Sequence, residues 1–176
     1  MKTFNTSDLP NGHLYGLLAD EINETFWGDL EFMKILRLVS QKGEAATLRK
    51  ECDEHAWQIE EQLVRLKKAS VLSGIELKAK ENHIMAALLK DTVDALEKYK
   101  DTETLDTVVI STLRKACRFR KAMYQSVVTY FGLLGFEEPE MIIAKTQNDE
   151  TMADDRLLSI TYEKLVNING EAVIVV

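Results

Sequence analysis

Four stretches of the chain place residues suited to a core at alternating steps of four and three, the spacing that lines one face of an α-helix. The first reads Leu18, Ile22, Thr25, Asp29, Phe32, Leu36 and Val39, and the second Leu48, Cys52, His55, Ile59, Leu63 and Leu66. The third reads Val109, Leu113, Ala116, Arg120, Met123, Val127, Tyr130 and Leu134, and the fourth Ile143, Thr146, Glu150, Ala153, Leu157 and Ile160. Each series suits the interior of a helical bundle except near its middle, where Asp29, His55, Arg120 and Glu150 stand. Ionised groups are rarely fully buried unless they are paired or bound to a metal. Four helices with polar centres therefore predict a metal centre or what remains of one.

Turn and capping residues set the expected boundaries. A first helix runs from near His13 to Ser40, ending at Gln41-Lys42-Gly43, and a second from near Ala45 to Ser70, closed by Ser73-Gly74. Ile84, Leu88, Val93 and Leu96 make a crossover helix of the segment from Ile75 to Tyr99. Asp101-Thr102-Glu103-Thr104 forms a capped linker to a helix over Leu105–Leu134. The last helix starts near Pro139, a residue favoured in a first helical turn, and reaches about Leu165. An ordinary up-down bundle needs only short loops, so a crossover between the second and third long helices predicts the ferritin-like arrangement, all-α, in a single domain. Beyond it, Asn169-Gly170 between apolar runs predicts a hairpin, and residues 166–176 are read as a β-like tail. Its last five residues, Ala172 to Val176, are all apolar. This tail is expected either to fold back on its own bundle or to pair across a homodimer.

Composition narrows the function. The chain has 176 residues and a net charge of −7, which disfavours a nucleic-acid partner, since phosphate binding needs a concentrated basic face. Arg114, Lys115, Arg118, Arg120 and Lys121 are spread around their helix instead. No apolar run reaches the roughly 20 residues that span a bilayer, and Met1-Lys2-Thr3-Phe4-Asn5 lacks the apolar region of a signal peptide. A cytoplasmic location without membrane attachment is expected. Cys52 and Cys117 read as reduced core fillers, and His13 and His83 as surface residues. No glycine-rich phosphate loop or nucleophile elbow is present. Trp27, Phe32, Trp57, Phe119, Tyr124 and Phe131 fall at helical spacing, in the core or at an interface.

Three segments carry a family resemblance. Glu21-Ile22-Asn23-Glu24-Thr25-Phe26-Trp27-Gly28-Asp29, then Asp53-Glu54-His55-Ala56-Trp57-Gln58-Ile59-Glu60, then the spacing from Asp106 to Leu134-Gly135-Phe136 resemble the YciE/YciF-type ferritin-like proteins, bacterial proteins linked to stress responses. The resemblance covers about His13 to Leu165 and implies a dimetal site built from carboxylates of four helices, some paired with a histidine three residues on.

Carried over residue by residue, that site is depleted. The first-helix glutamate corresponds to Asp29, and the Glu-x-x-His of the second helix to Asp53 and Ala56, with His55 about 100° off register. The Glu-His-Tyr-Glu stretch of the third helix corresponds to Cys117-Arg118-Phe119-Arg120, so both carboxylates are gone and one is replaced by a cation. Asp149 and Glu150 remain on the last helix. The remnant positions are thus Asp29, Asp53, Glu54 and Glu150; the substituted ones are Ala56, Cys117 and Arg120. The expectation is a non-enzymatic ferritin-like, stress-associated structural protein with no metal or other cofactor, in which Arg120 pairs internally with Asp29 and Glu150. The competing expectation is an iron or manganese oxidase, or a single-metal binder using the remaining carboxylates and His55. The sequence names no protein partner beyond a second copy.

Overall fold

The computed structural model describes residues 12–169, and they form five helices: α1 (Gly12–Lys42), α2 (Ala46–Ser73), α3 (His83–Lys98), α4 (Leu105–Leu133) and α5 (Glu137–Asn169). No strand occurs among the described residues, and none of their helices is long and apolar enough to cross a membrane.

The four long helices close a ring in which α1 packs on α2, α2 on α5, α5 on α4 and α4 on α1. Side-chain pairs fix their directions. Arg114 meets Asp154 and Arg120 meets Glu150, so α4 and α5 run opposite ways; Glu51 meets Arg156 and Gln62 meets Glu150, so α2 and α5 do too. Asp29 meets Arg120, while the turn after α1 meets Asp106 at the start of α4. Consequently α2 and α4, on opposite corners of the ring, point the same way. A connection between parallel helices must return along their whole length, and residues 75–98 do this.

The return is not helical throughout. Helix α3 begins only at His83, eight residues later than the expected start at Ile75. The segment before it is strapped to α1, where the Lys80 amide donates to the Asn23 carbonyl and the Lys78 amide to Asn23 Oδ1. These bonds give the backbone amides partners outside a helix, and Asn82 then caps α3 by accepting from the Met85 amide. Helix α3 packs on α4 and α1.

Two left-handed glycines end helices. Gly74 (φ 74°) closes α2, with the Ile75 amide reaching back to the Ser70 carbonyl. Gly135 (φ 74°) turns α4 into α5, with the Phe136 amide on the Phe131 carbonyl. Helix α5 opens with Glu137, Glu138 and Glu140 beside the positive end of its dipole. It then runs four residues past the expected end at Leu165. Residues 166–169, read from sequence as extended, continue the helix, so no hairpin forms around Asn169-Gly170 with 165–168 as its first strand. A helical interior leaves no break there because neither glycine nor proline interrupts Leu165 to Asn169. The rest of the expected tail, 170–176, lies outside the described residues, as does Pro10.

The stripes are inside. Every position of the first, second and fourth series is buried; in the third, Tyr130 and Leu134 are only partly covered and Phe131 takes the interior place. Trp57 is on the surface, not in the core. The buried apolar residues separate into two clusters. One contains Phe32, Leu36, Cys52, Leu113 and Leu157; the other contains Leu18, Ile22, Leu66, Val127 and Ile143. Between Ile22 and Phe32 on α1, and between Ile143 and Leu157 on α5, lie Asp29 and Glu150. The two apolar halves meet at a charged layer.

Candidate functional site

That layer is assembled from all four long helices: Asp29 from α1, His55 and Gln62 from α2, Cys117, Arg120 and Tyr124 from α4, and Glu150 from α5, every one buried. Each lies on or beside a stripe whose other members are apolar, so burying the stripes carries the charges inward with them.

Arg120 occupies the centre. Its Nε donates to Asp29 Oδ1 at 3.0 Å, and Nη2 donates to the same oxygen at 2.8 Å. Nη1 donates to Glu150 Oε2 at 2.6 Å, and Nη2 also reaches Gln62 Oε1 at 2.9 Å. Gln62 returns the contact by donating from Nε2 to Glu150 Oε1 at 2.9 Å. The Tyr124 hydroxyl donates to Asp29 Oδ2. The guanidinium carbon lies 5.1 Å from the centre of the Phe32 ring and 5.9 Å from that of Tyr124, close enough for the ring faces to add cation–π attraction. Arg120, with several fixed donors in one plane, is suited to bridging two carboxylates and an amide at once.

The electrostatics follow from burial and from these partners. Burial opposes the Arg120 cation, but Glu150 and then Asp29 outweigh it and raise its pKa further. For Glu150 burial again opposes ionisation, yet Arg120, His55 and Gln62 hold its carboxyl at about 2. Burial pushes the Asp29 carboxyl upward, against Arg120 and Tyr124. Both Asp29 oxygens nevertheless accept hydrogen bonds, which is the pattern of an ionised carboxylate. The Tyr124 hydroxyl is pushed well up by burial and then by Asp29, so it stays a donor.

The remaining positions separate cleanly. Asp53 and Glu54 are exposed and take no part, Glu54 pairing instead with Lys50 at 3.5 Å. Asp149 is half-buried and faces Arg65 at 2.6 Å, away from the central layer. His55 lies inward, as its place in the second series predicts: it is wholly buried, and its Nε2 stands 3.5 Å from Glu150 Oε1. Helix α2 turns the His55–Ile59–Leu63 line inward and leaves Asp53 on the opposite side. Ala56 is buried beside it. Gln62 and Tyr124 are members of the network that the stripes alone do not single out. The signal was their spacing, Gln62 seven residues after His55 and Tyr124 four after Arg120, on the same helix faces.

Chemically, a pair of divalent ions needs oxygen-rich ligands, and the space between Asp29 and Glu150 holds a guanidinium instead. A different donor set lies next to it. Ligand atoms of His55, Cys117 and Glu150, all buried, are within 4.8 Å of one another.

Comparison with known proteins places the fold. A family model described as a domain of unknown function, DUF892, matches residues 14–169. The crystal structure of the Escherichia coli stress protein YciF aligns with a TM-score of 0.82 at 16% identity, covering 90% of this chain and 98% of that one. YcfI of Rhodopseudomonas palustris, provisionally described as a structural protein, aligns at 0.78 and 16% identity, covering 88% and 97%. No curated protein sequence matches the chain.

Proposed function

We infer the function from one premise: the chain belongs to the family described as a domain of unknown function, DUF892. On this reading it is a non-enzymatic ferritin-like four-helix-bundle protein with a crossover helix, whose internal ion-pair network stands in the place of a dimetal centre. The carrying observation is Arg120 bonded to both Asp29 and Glu150 at the middle of the bundle. A cation there repels a pair of divalent ions, occupies Asp29 and one oxygen of Glu150, and adds no redox chemistry. The description of one fold relative as a stress protein and of another as structural supports a stress-associated structural role; a cytoplasmic location is part of the same proposal.

The test is to incubate purified protein with ferrous iron or manganese, remove loosely held ions, and measure metal content and oxygen-dependent iron oxidation. Neither metal is expected to be retained at two ions per chain, and no catalysed oxidation is expected. Two ions per chain with catalysed oxidation would return the protein to the oxidase reading.

The same reading makes the protein a homodimer. Trp57, Val64 and Val71 recur at sevens on the outer face of α2 and are 62%, 66% and 79% exposed. Such an apolar line on a surface helix supports burial against a second copy, with the apolar run 172–176 as a further contributor.

A further inference from the structure

We propose that His55, Cys117 and Glu150 form a mononuclear site for a thiophilic divalent cation of the zinc class, separate from the Arg120 bridge. This goes beyond the function proposed above, which concerns only the loss of dimetal chemistry.

Four observations carry it. First, imidazole nitrogen, thiol sulfur and carboxylate oxygen, the three donor types zinc prefers, come from three helices to within 4.8 Å of one another, all buried. Tetrahedral zinc holds such ligands at about 2.0–2.3 Å, hence roughly 3.3–3.7 Å apart, so the ligand atoms need to draw together by no more than about 1.5 Å. Second, His55 is 0% exposed, yet its Nδ1 has no hydrogen-bond partner among the described residues and its Nε2 has only the 3.5 Å approach to Glu150 Oε1. Buried polar atoms are almost always satisfied, and a metal bond satisfies one of them. Third, the two oxygens of Glu150 divide their roles: Oε2 takes Arg120, while Oε1 faces His55. The guanidinium thus leaves Oε1 to the imidazole and to Gln62. Gln62, already bonded to Oε1, becomes the outer partner that orients it. Fourth, a cleft of about 380 Å³ between α4 and α5, walled by Lys121, Thr151 and Asp155, reaches inward to Cys117 and Glu150 and supplies an entry path.

Charge balance points the same way. The layer buries one cation, Arg120, against two carboxylates, Asp29 and Glu150, and so carries one net negative charge out of contact with water. Cys117, wholly buried, enters this balance as a neutral thiol with its proton still on the sulfur before metal binds. On binding, the divalent ion displaces that proton, forms a metal–sulfur bond with the thiolate, and releases one proton to solvent. Two positive charges gained against one thiolate leave the layer neutral. Three protein ligands leave the fourth position to solvent, and the sulfur ligand selects zinc-class ions over the oxygen-preferring manganese or magnesium.

The experiment is a cobalt(II) titration of the intact, reduced protein, since tetrahedral cobalt bound to thiolate gives an intense near-ultraviolet charge-transfer band, followed by displacement with zinc. One cobalt per chain, a charge-transfer band, release of one proton and loss of the band on adding zinc are expected. In Cys117→Ser the band should vanish, and affinity should fall by at least the roughly 10–100-fold that even an outer-sphere partner is worth. Should that variant not fold, the wild-type spectrum decides alone. Absence of the band in wild type, or its persistence in a folded Cys117→Ser, overturns the site and leaves the Arg120 reading intact. Two irons per chain with catalysed oxidation would instead defeat the Arg120 reading.

Discussion

Arg120 and Asp29 meet through two donors on one oxygen: both Nε and Nη2 of the arginine point at Asp29 Oδ1, and Oδ2 is left to the Tyr124 hydroxyl. This is a different geometry from the side-on fork in which each carboxylate oxygen takes one nitrogen. It frees Nη1 for Glu150 and lets Nη2 touch Gln62 as well, so one guanidinium joins α1, α2 and α5 to α4. The bundle is tied at its middle by polar bonds and at both ends by apolar clusters.

Removing the cation should therefore be far worse than removing the whole network. Arg120→Ala leaves two buried carboxylates uncompensated and is expected to cost about 3–5 kcal/mol. Combining Arg120→Met with Asp29→Leu, Glu150→Leu, Gln62→Leu and Tyr124→Phe should recover most of that loss, because the desolvation penalty disappears along with the attraction and no buried polar partner of the network is left behind. Urea unfolding of both variants measures the contrast; a single replacement as well tolerated as the combined one would show that Arg120 is not the charge that holds the layer.

Tyr124→Phe isolates one bond. It removes the only hydroxyl donating to Asp29 Oδ2 among the described residues and leaves a buried charged acceptor short of a partner, so a loss of about 1–3 kcal/mol is expected. Its volume barely changes, so an effect below a few tenths of a kcal/mol would mean that another donor takes over.

How far this centre could be read without coordinates depended on what each residue's neighbours were. Asp29, Arg120 and Glu150 were legible because each is the lone charge in an otherwise apolar series, and a helix that buries its neighbours must bury it. Glu54 was misleading for the opposite reason: a carboxylate one residue from His55 is close in sequence and about 100° away in space. Gln62 and Tyr124 were hidden because an amide beside Leu63 and a phenol beside Met123 also fit a core margin. The start of α3 was misplaced because Leu77 suits a helix, while the amides of Lys78 and Lys80 find better partners on Asn23. Residues 166–169 were read as extended from their β-branched and apolar character, although continuation of α5 overrides so weak a preference.

The pH dependence has a definite sign. Glu150 is held at about 2, below its ordinary 4.5, so its contribution is complete above pH 4.5 and is lost as pH falls toward 2. A shift of this size corresponds to roughly 3 kcal/mol. Asp29, shifted upward by burial, works in the opposite sense and makes the total change smaller. The clean observable is thus a difference: wild type should be more stable than Glu150→Gln at neutral pH, and the gap should shrink between pH 4.5 and 2. A gap that stays constant across this interval would place the Glu150 charge outside the stabilising network.

Asp106 offers a prediction remote from the centre. Its two carboxylate oxygens accept from the Glu44 and Ala45 amides, at 2.9 and 2.8 Å, where α2 begins with no side-chain cap of its own. A residue at the start of α4 thus caps a helix it does not belong to and fixes the turn between α1 and α2. Asp106→Ala is expected to cost about 1–3 kcal/mol, the range for lost caps and buried unsatisfied amides. Hydrogen exchange at Glu44 and Ala45 should quicken more than exchange at the middle of α2, whereas uniform quickening would indicate only a global loss of stability.

Reversing the central charge gives the most demanding test of what the layer is. Arg120→Glu places three carboxylates, with Asp29 and Glu150, in a space closed to water, and His55 already faces Glu150, so no second substitution is needed to supply a nitrogen ligand. Without metal this variant should be severely destabilised, because like charges at close range in a poorly polarisable interior repel strongly. Manganese or ferrous iron should then act as the missing counter-charge and restore folding, raising the melting temperature with metal concentration as expected for a ligand that binds only the native state. Wild type should show no such manganese-dependent rise, because Arg120 already fills the role. Thermal melts of both proteins in chelator and in graded manganese distinguish the cases. If Arg120→Glu melts at the same temperature in both, the space between Asp29 and Glu150 cannot accept a metal even when its cation is removed, and the view of Arg120 as the replacement for one would have to be given up.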